Sequence, residues 1–171
     1  MRHLALCVFG PDKPGIVEKL SRLVFEHQGS WFGASLAHLA GRFAGIVDVK
    51  IPEEHYIAFA AALQDIEDLD IRIAEGGLLP PASADSHDCQ LSLVANDRTG
   101  IVHELTSTLS RLGVNIEEMT TKCRPAHNYG ELFIAKARLR VPKDVTHEQI
   151  RELLEACGDD WMLELDEPSV T

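Results

Sequence analysis

Apolar and polar positions alternate with a period of two over Leu4 to Phe9, then switch to helical spacing. In the opening run both alternating sets are apolar, Leu4, Leu6 and Val8 against Ala5, Cys7 and Phe9, which predicts a central strand. Gly10-Pro11-Asp12 breaks that strand. Ile16, Val17, Leu20, Leu23 and Val24 then form one side of a helix, with Glu18, Lys19 and Arg22 on the other and Pro14 in the first turn. The helix closes near Gly29. Trp31 to Leu39 and Phe43 to Ile51 read as strands joined at Gly41-Arg42. In the second of these, Phe43, Val47, Val49 and Ile51 share a side while Asp48 and Lys50 point away, giving a hairpin with one wet face. Pro52-Glu53-Glu54 opens a helix striped by Tyr56, Phe59, Leu63 and Ile66, and Ile71 and Ile73 form a short last strand. The order is β-α-β-β-α-β.

The pattern then restarts. Asp12-Lys13-Pro14-Gly15-Ile16-Val17 returns as Asp97-Arg98-Thr99-Gly100-Ile101-Val102, 85 positions later (97 − 12). Each copy follows an apolar run and opens a helical stretch, so each is a strand-to-helix turn. Ile101, Val102, Leu105, Leu109 and Leu112 carry the next amphipathic stripe, which ends at Gly113, and Val114-Asn115-Ile116 enters a strand. Phe133, Ala135, Ala137, Leu139 and Val141 alternate with Ile134, Lys136, Arg138 and Arg140. Ile150, Leu153, Leu154 and Cys157 mark the last helix, and Trp161, Leu163 and Leu165 the last strand. Two domains are expected, residues 1–76 and 89–171, joined by a turn-rich linker over 77–88. Aligning Pro52 with Pro142 and Gly29 with Gly113 lengthens the second hairpin connection, Arg124 to Gly130, by about six residues; a loop of that length either carries function or is a tolerated insertion.

Composition narrows the function classes. The net charge of −11 is spread over both halves: residues 1–80 hold 7 basic and 11 acidic side chains, residues 81–171 hold 9 and 16. An acidic body lacks the counterion-release term that holds duplex DNA, so direct DNA binding is not expected. Cys7, Cys89, Cys123 and Cys157 have no C-x-x-C spacing and read as free thiols of a cytoplasmic protein. The run Leu4 to Phe9 is too short for a signal peptide, and no stretch reaches membrane-spanning length. His38, His103 and His127 make no metal pattern with the cysteines, and no nucleophile–base arrangement stands out. No metal, cofactor or catalysis is expected.

The anchors carry the candidate chemistry. Backbone amides at a helix N-terminus bind carboxylates, glycine lets a ligand approach the chain, and Asp97 or Asn115 would face an ammonium. The same residues have purely structural uses. Asp12 and Asp97 would cap their helices, worth about 0.5–2 kcal/mol, and Gly15 and Gly100 would serve close helix–strand packing. Both uses are compatible with a ligand. Lys122 and Arg124 on one strand, with Lys136, Arg138 and Arg140 on its neighbour, would cluster on the outer face of the second hairpin. That patch is either a contact for an acidic protein surface or a carboxylate ligand, or an ordinary solvated sheet face.

The repeated anchor and the doubled β-α-β-β-α-β order resemble the ACT domain, a small ligand-sensing module with a ferredoxin-like fold. The resemblance implies an α+β protein: two ferredoxin-like ACT domains packed as a pseudo-twofold pair, with antiparallel sheets and helices on one face. Two such modules with no enzyme attached, with Arg124-Pro125-Ala126 in the second hairpin, are similar to the glycine cleavage system transcriptional repressor family. That implies a regulator, not an enzyme, that senses an amino acid such as glycine or serine and modulates a DNA-binding transcription regulator without touching DNA. The alternative is a ligand-independent interaction or dimerisation adaptor. Open edge strands point to a homodimer. ACT modules bind ligands where two modules meet, using the first loop and the start of the second strand. Carried over, this nominates Asn96, Asp97, Thr99, Gly100, Ile101, Asn115 and Ile116 in the second unit, and Asp12, Pro14, Gly15 and Ile16 in the first. With Trp31-Phe32 set against Asn115-Ile116, the first unit lacks the polar side chain, so the second copy is expected to hold the ligand.

Overall fold

The structure is a computed structural model and describes residues 1–77, 85–126 and 130–166. The chain forms two compact units, Met1–Leu79 and Pro80–Thr171. The first runs β1 (Arg2–Pro11), α1 (Ile16–Glu26), β2 (Ser30–Leu39), β3 (Arg42–Ile51), a 3₁₀ turn at Glu53–His55, α2 (Tyr56–Gln64) and β4 (Asp70–Glu75). The second runs β5 (Ser86–Asn96), α3 (Ile101–Arg111), β6 (Asn115–Pro125), β7 (Glu131–Pro142), α4 (His147–Glu155) and β8 (Met162–Asp166). Ser86, assigned to the linker by composition, begins β5.

Each unit is one antiparallel four-stranded sheet, ordered β2-β3-β1-β4 and β6-β7-β5-β8, with β1 central as its two apolar sides predict and β5 in the matching place. Two helices cover one face of each sheet. Leu4, Leu6 and Val8 of β1 are buried with Ile16, Leu20 and Val24 of α1 and with Phe59 and Leu63 of α2. Leu91 and Leu93 of β5 are buried with Leu105 and Leu109 of α3 and with Ile150 and Leu154 of α4. Leu153, expected on the apolar stripe of α4, is exposed, because it lies roughly 80° around the helix axis from the inward direction shared by Ile150 and Leu154. Burying a side chain such as Phe59, which is fully enclosed, contributes about 1.5–3 kcal/mol.

The register corrects the alignment of the two units. Phe32 is an extra residue between the paired positions Trp31 and Gly33, and Glu117 is its counterpart between Ile116 and Glu118. The left-handed residues after α1 and α3 are Gln28 (φ 56°) and Gly113 (φ 70°), again 85 apart. Gly113 therefore matches Gln28, Asn115 matches Ser30, and Ile116 matches Trp31. The premise that the first unit lacks a polar residue at the strand start falls, since Ser30 stands there. Leu4 pairs with Val49 and Cys89 with Leu139, an offset of 90 between β3 and β7. The second hairpin is longer by five residues (90 − 85), not six; residues 127–129 of that connection lie outside the described residues.

Candidate ligand site at the anchor loops

The anchors do turn strand into helix, by a different device from the one expected. Gly15 and Gly100 are the N-cap residues of α1 and α3, both at φ 90°, and neither helix has a side-chain cap. Asp12 and Asp97 therefore do not cap, and Pro14 lies in the turn before the helix, outside its first turn. Close packing is not the reason for the glycines either. A Cβ on Gly15 would meet nothing within 4 Å, and one on Gly100 only Glu104 Oε1 at 3.9 Å. Glycine is required because the backbone is left-handed there, a conformation that costs other L-residues about 1–2 kcal/mol. The Ile101 N–H donates back to the Arg98 carbonyl at 3.3 Å, but the amides that follow in the first helical turn have no carbonyl partner within their own helix, so open space and available donors coincide at this position.

The loops are held by their backbones and by the basic second residue of each anchor. The Asp97 N–H donates to the Glu131 carbonyl at 2.7 Å, and the Asp12 N–H to the Gly41 carbonyl at 3.3 Å. Arg98 Nη1 donates to Glu104 Oε1 at 2.7 Å and Nη2 to the Cys157 carbonyl at 3.1 Å. Lys13 in the same place bonds Asp68, just before β4. Lys13 and Arg98 were not among the sequence candidates. Their shared positive charge at one position of the repeat was the available signal.

Within one unit the nominated residues fall into two groups. Asn96, Asp97, Thr99, Gly100 and Ile101 follow one another at one end of the second sheet, with Ile101 buried beneath them. Asn115 and Ile116 lie at the other end. Asn96 faces Leu132 and Asn115 faces Arg140 on β7, eight residues further on (140 − 132), or about 26 Å. There Asn115 Nδ2 donates to Glu117 Oε1 at 2.7 Å, while Ile116 packs against the core. The first unit repeats the separation: Pro11, next to Asp12, faces Arg42, and Ser30 faces Lys50. Asp12, Pro14 and Gly15 are exposed at the anchor end and Ile16 is buried.

What lies beside each anchor aspartate comes instead from the hairpin. Cys123 and Glu131 approach Asp97, their ligand atoms within 4.8 Å of one another. Burial pushes the Cys123 thiol up, with the Asp97 and Glu131 carboxylates adding to the effect. In the first unit His38, the counterpart of Cys123, brings Nδ1 to 3.7 Å from Asp12 Oδ2. The 85-residue period links positions 38 and 123, so the repeat could have pointed to them.

The five basic residues do share the outer face of the β6–β7 hairpin: Lys136 faces Thr120, Arg138 faces Glu118, and Lys122 and Arg124 face Ile134 and Leu132. The face is mixed in charge. Arg138 pairs with Glu118 at 3.0 Å, and Arg140 with Asp88 at 3.3 Å and Glu117 at 3.8 Å. A shallow depression of about 260 Å³ lies there, lined by Gln90, Ser92, Glu118, Thr120, Lys136 and Arg138 among others.

Acid should loosen the second anchor. The hydrogen bonds from Arg98 hold the Glu104 carboxyl below its usual range, and the Asn96 N–H, 2.8 Å from Oδ2, does the same for Asp160. A depressed carboxylate contributes stability that is fully present above its unfolded value and is lost as pH falls through the folded one. The melting midpoint of the second unit, followed by Trp161 fluorescence, is expected to drop on acidification below about pH 4. Asp160→Asn, which keeps an acceptor but does not titrate, should flatten that profile.

Comparison with known proteins identifies the first unit. Residues 2–74 match the ACT domain model. The first unit is an ACT domain. The second has the same element order and strand order, so the chain is a tandem ACT-fold protein. Along its whole length it resembles the crystal structure of an unknown protein from Galdieria sulphuraria, with 25% identity, 98% of this chain and 99% of that chain covered, and a TM-score of 0.82. A candidate glycine cleavage system transcriptional repressor shares the fold, with 14% identity, 97% and 98% coverage, and a TM-score of 0.65. No curated protein sequence matches the chain. No helix among the described residues is long and apolar enough to cross a membrane.

Proposed function

We propose that this tandem ACT protein is a non-catalytic cytoplasmic regulator. It takes up a small amino acid of the glycine or serine kind and, in response, changes its contact with a DNA-binding transcription regulator. The observation that carries the reading is the paired anchor: a left-handed glycine with open space around it, next to a helix start that no side chain caps, present in both units. A zwitterion's carboxylate suits those amides. Asp12 or Asp97 offers its ammonium an acceptor. The strand-start residues Ser30 and Asn115 are too far from the anchor of their own unit to share its pocket. The net charge of −11 favours action through a protein partner over direct DNA contact. The likeness to a candidate glycine cleavage repressor is one of fold and supports the reading only at that level.

A thermal-shift screen of the twenty amino acids tests this. A ligand that binds only the folded state at a hundred times its Kd adds about 2.7 kcal/mol, so glycine or serine at millimolar concentration should raise the midpoint. No shift with any of the twenty would favour the second reading, a ligand-independent interaction adaptor.

A further inference from the structure

The two sheets present different outer faces to solvent. In the second unit the central outer positions are Gln90, Ser92, Lys136 and Arg138; in the first, the matching positions are Ala5, Cys7, Ile46 and Asp48. Ala44 and Phe9 extend this apolar ground, and Ala37 and Leu39 continue it on β2. The large side chains are open: Phe9 is 51% exposed, Ile46 53%, Leu39 76% and Phe32 58%. Phe32 belongs to the same face, because Lys50 Nζ sits 4.2 Å from its ring centroid. β1 is central, as its two apolar sides predict, but only one of those sides faces the core. One side is core, and the other is bare.

We infer that the bare face of the first unit is a self-association surface, on which a second copy of this chain docks sheet to sheet. Area supports this. The exposed apolar side chains present on the order of 400 Å², within the size of patch that is often functional. Four strands about 4.8 Å apart and up to ten residues long give a footprint of roughly 600 Å² before side-chain relief, near the ~800 Å² per partner of a standard interface. Charge selects the occupant. The chain as a whole is at −11 and repels its own copies. This face, in contrast, is close to neutral, with Arg42, Lys50 and Arg72 against Asp48 and Asp70, so two copies meet here with little of that repulsion.

Shape agrees with a twofold axis along the strands, which lays β3 of one copy on β1 of the other. Phe9 then faces Ala44, and Ile46 faces Cys7, a large side chain over a small one each time. A depression of about 200 Å³ lined by Cys7, Phe9, Asp70 and Arg72 among others lies where the incoming Ile46 would seat.

Light scattering on the full chain at micromolar concentration tests the surface. The wild type is expected at twice the monomer mass of 18.9 kDa. Ile46→Lys, which installs the residue that the second unit carries at the matching position, is expected to weaken association at least 100-fold and run as a monomer with an unchanged circular dichroism spectrum. Phe9→Lys should do the same, and Lys136→Ile should leave the wild-type mass. A monomeric wild type, or an Ile46→Lys protein that stays dimeric through a sheet edge, would overturn the inference. Neither result depends on whether an amino acid binds.

Discussion

Leu105→Ala is expected to cost the second unit about 2–5 kcal/mol, the range for truncating a fully buried leucine whose surroundings only partly collapse. Leu105 is completely enclosed between α3 and the sheet, and its counterpart 85 positions earlier, Leu20, is equally enclosed in the first core. The two cores share no residue among the described ones. With small domains holding only some 5–15 kcal/mol, the substitution removes a large fraction of one unit's stability. The sequence supplies one reporter per unit: Trp31 packs against the first core and Trp161 lies in the second. In a Trp31→Phe background, Leu105→Ala should lower the denaturant midpoint seen by Trp161 fluorescence. In a Trp161→Phe background it should leave the Trp31 transition in place, and Leu20→Ala should reverse the pattern. A single transition, shifted equally for both reporters by either substitution, would mean that the units unfold as one cooperative body.

That reciprocity rests on a duplication legible from hydrophobic periodicity alone. Strand and helix periods alternate cleanly through Leu4, Leu20, Phe59, Leu91, Leu105 and Ile150, and all of these are buried. Register was less legible. Phe32 and Glu117 are bulged residues, and one extra residue shifts the strand pairing within each hairpin while leaving the alternation on either side intact. Between the units the misleading signal is glycine: matching Gly29 with Gly113 sets Trp31 against Asn115, whereas the left-handed residue after α1 is Gln28. The anchor aspartates illustrate a second limit. Asp before a helix reads as a cap, but capping depends on the geometry of the turn, and here a left-handed glycine is interposed. The surroundings of Asp97 were least legible of all, since Cys123 and Glu131 reach it only through the pairing of β6 with β7. Alternation in β1 revealed two apolar sides but not whether both would be covered.

Gly100→Ala is the second large effect, and its comparison with Gly100→Asn separates the possible roles of the anchor glycine. At φ 90° an alanine should cost about 1–2 kcal/mol even though its Cβ would find no atom closer than 3.9 Å. Asparagine is bulkier but tolerates the left-handed region, so it should cost less than alanine. If close packing were the reason for glycine, the order would be reversed, with asparagine the more damaging. Gly15, with the same φ and a wider space, should show the same order with smaller differences from crowding. Chemical denaturation monitored at Trp161 for Gly100 and at Trp31 for Gly15 reads these costs directly. The asparagine variant then becomes a probe of function. It keeps the turn and the helix start but places a polar side chain in the space proposed for the ligand carboxylate. A thermal shift by glycine or serine that survives in Gly15→Asn but disappears in Gly100→Asn would locate the effector at the second anchor. Loss in both, with folding retained, would assign equal use to the two copies.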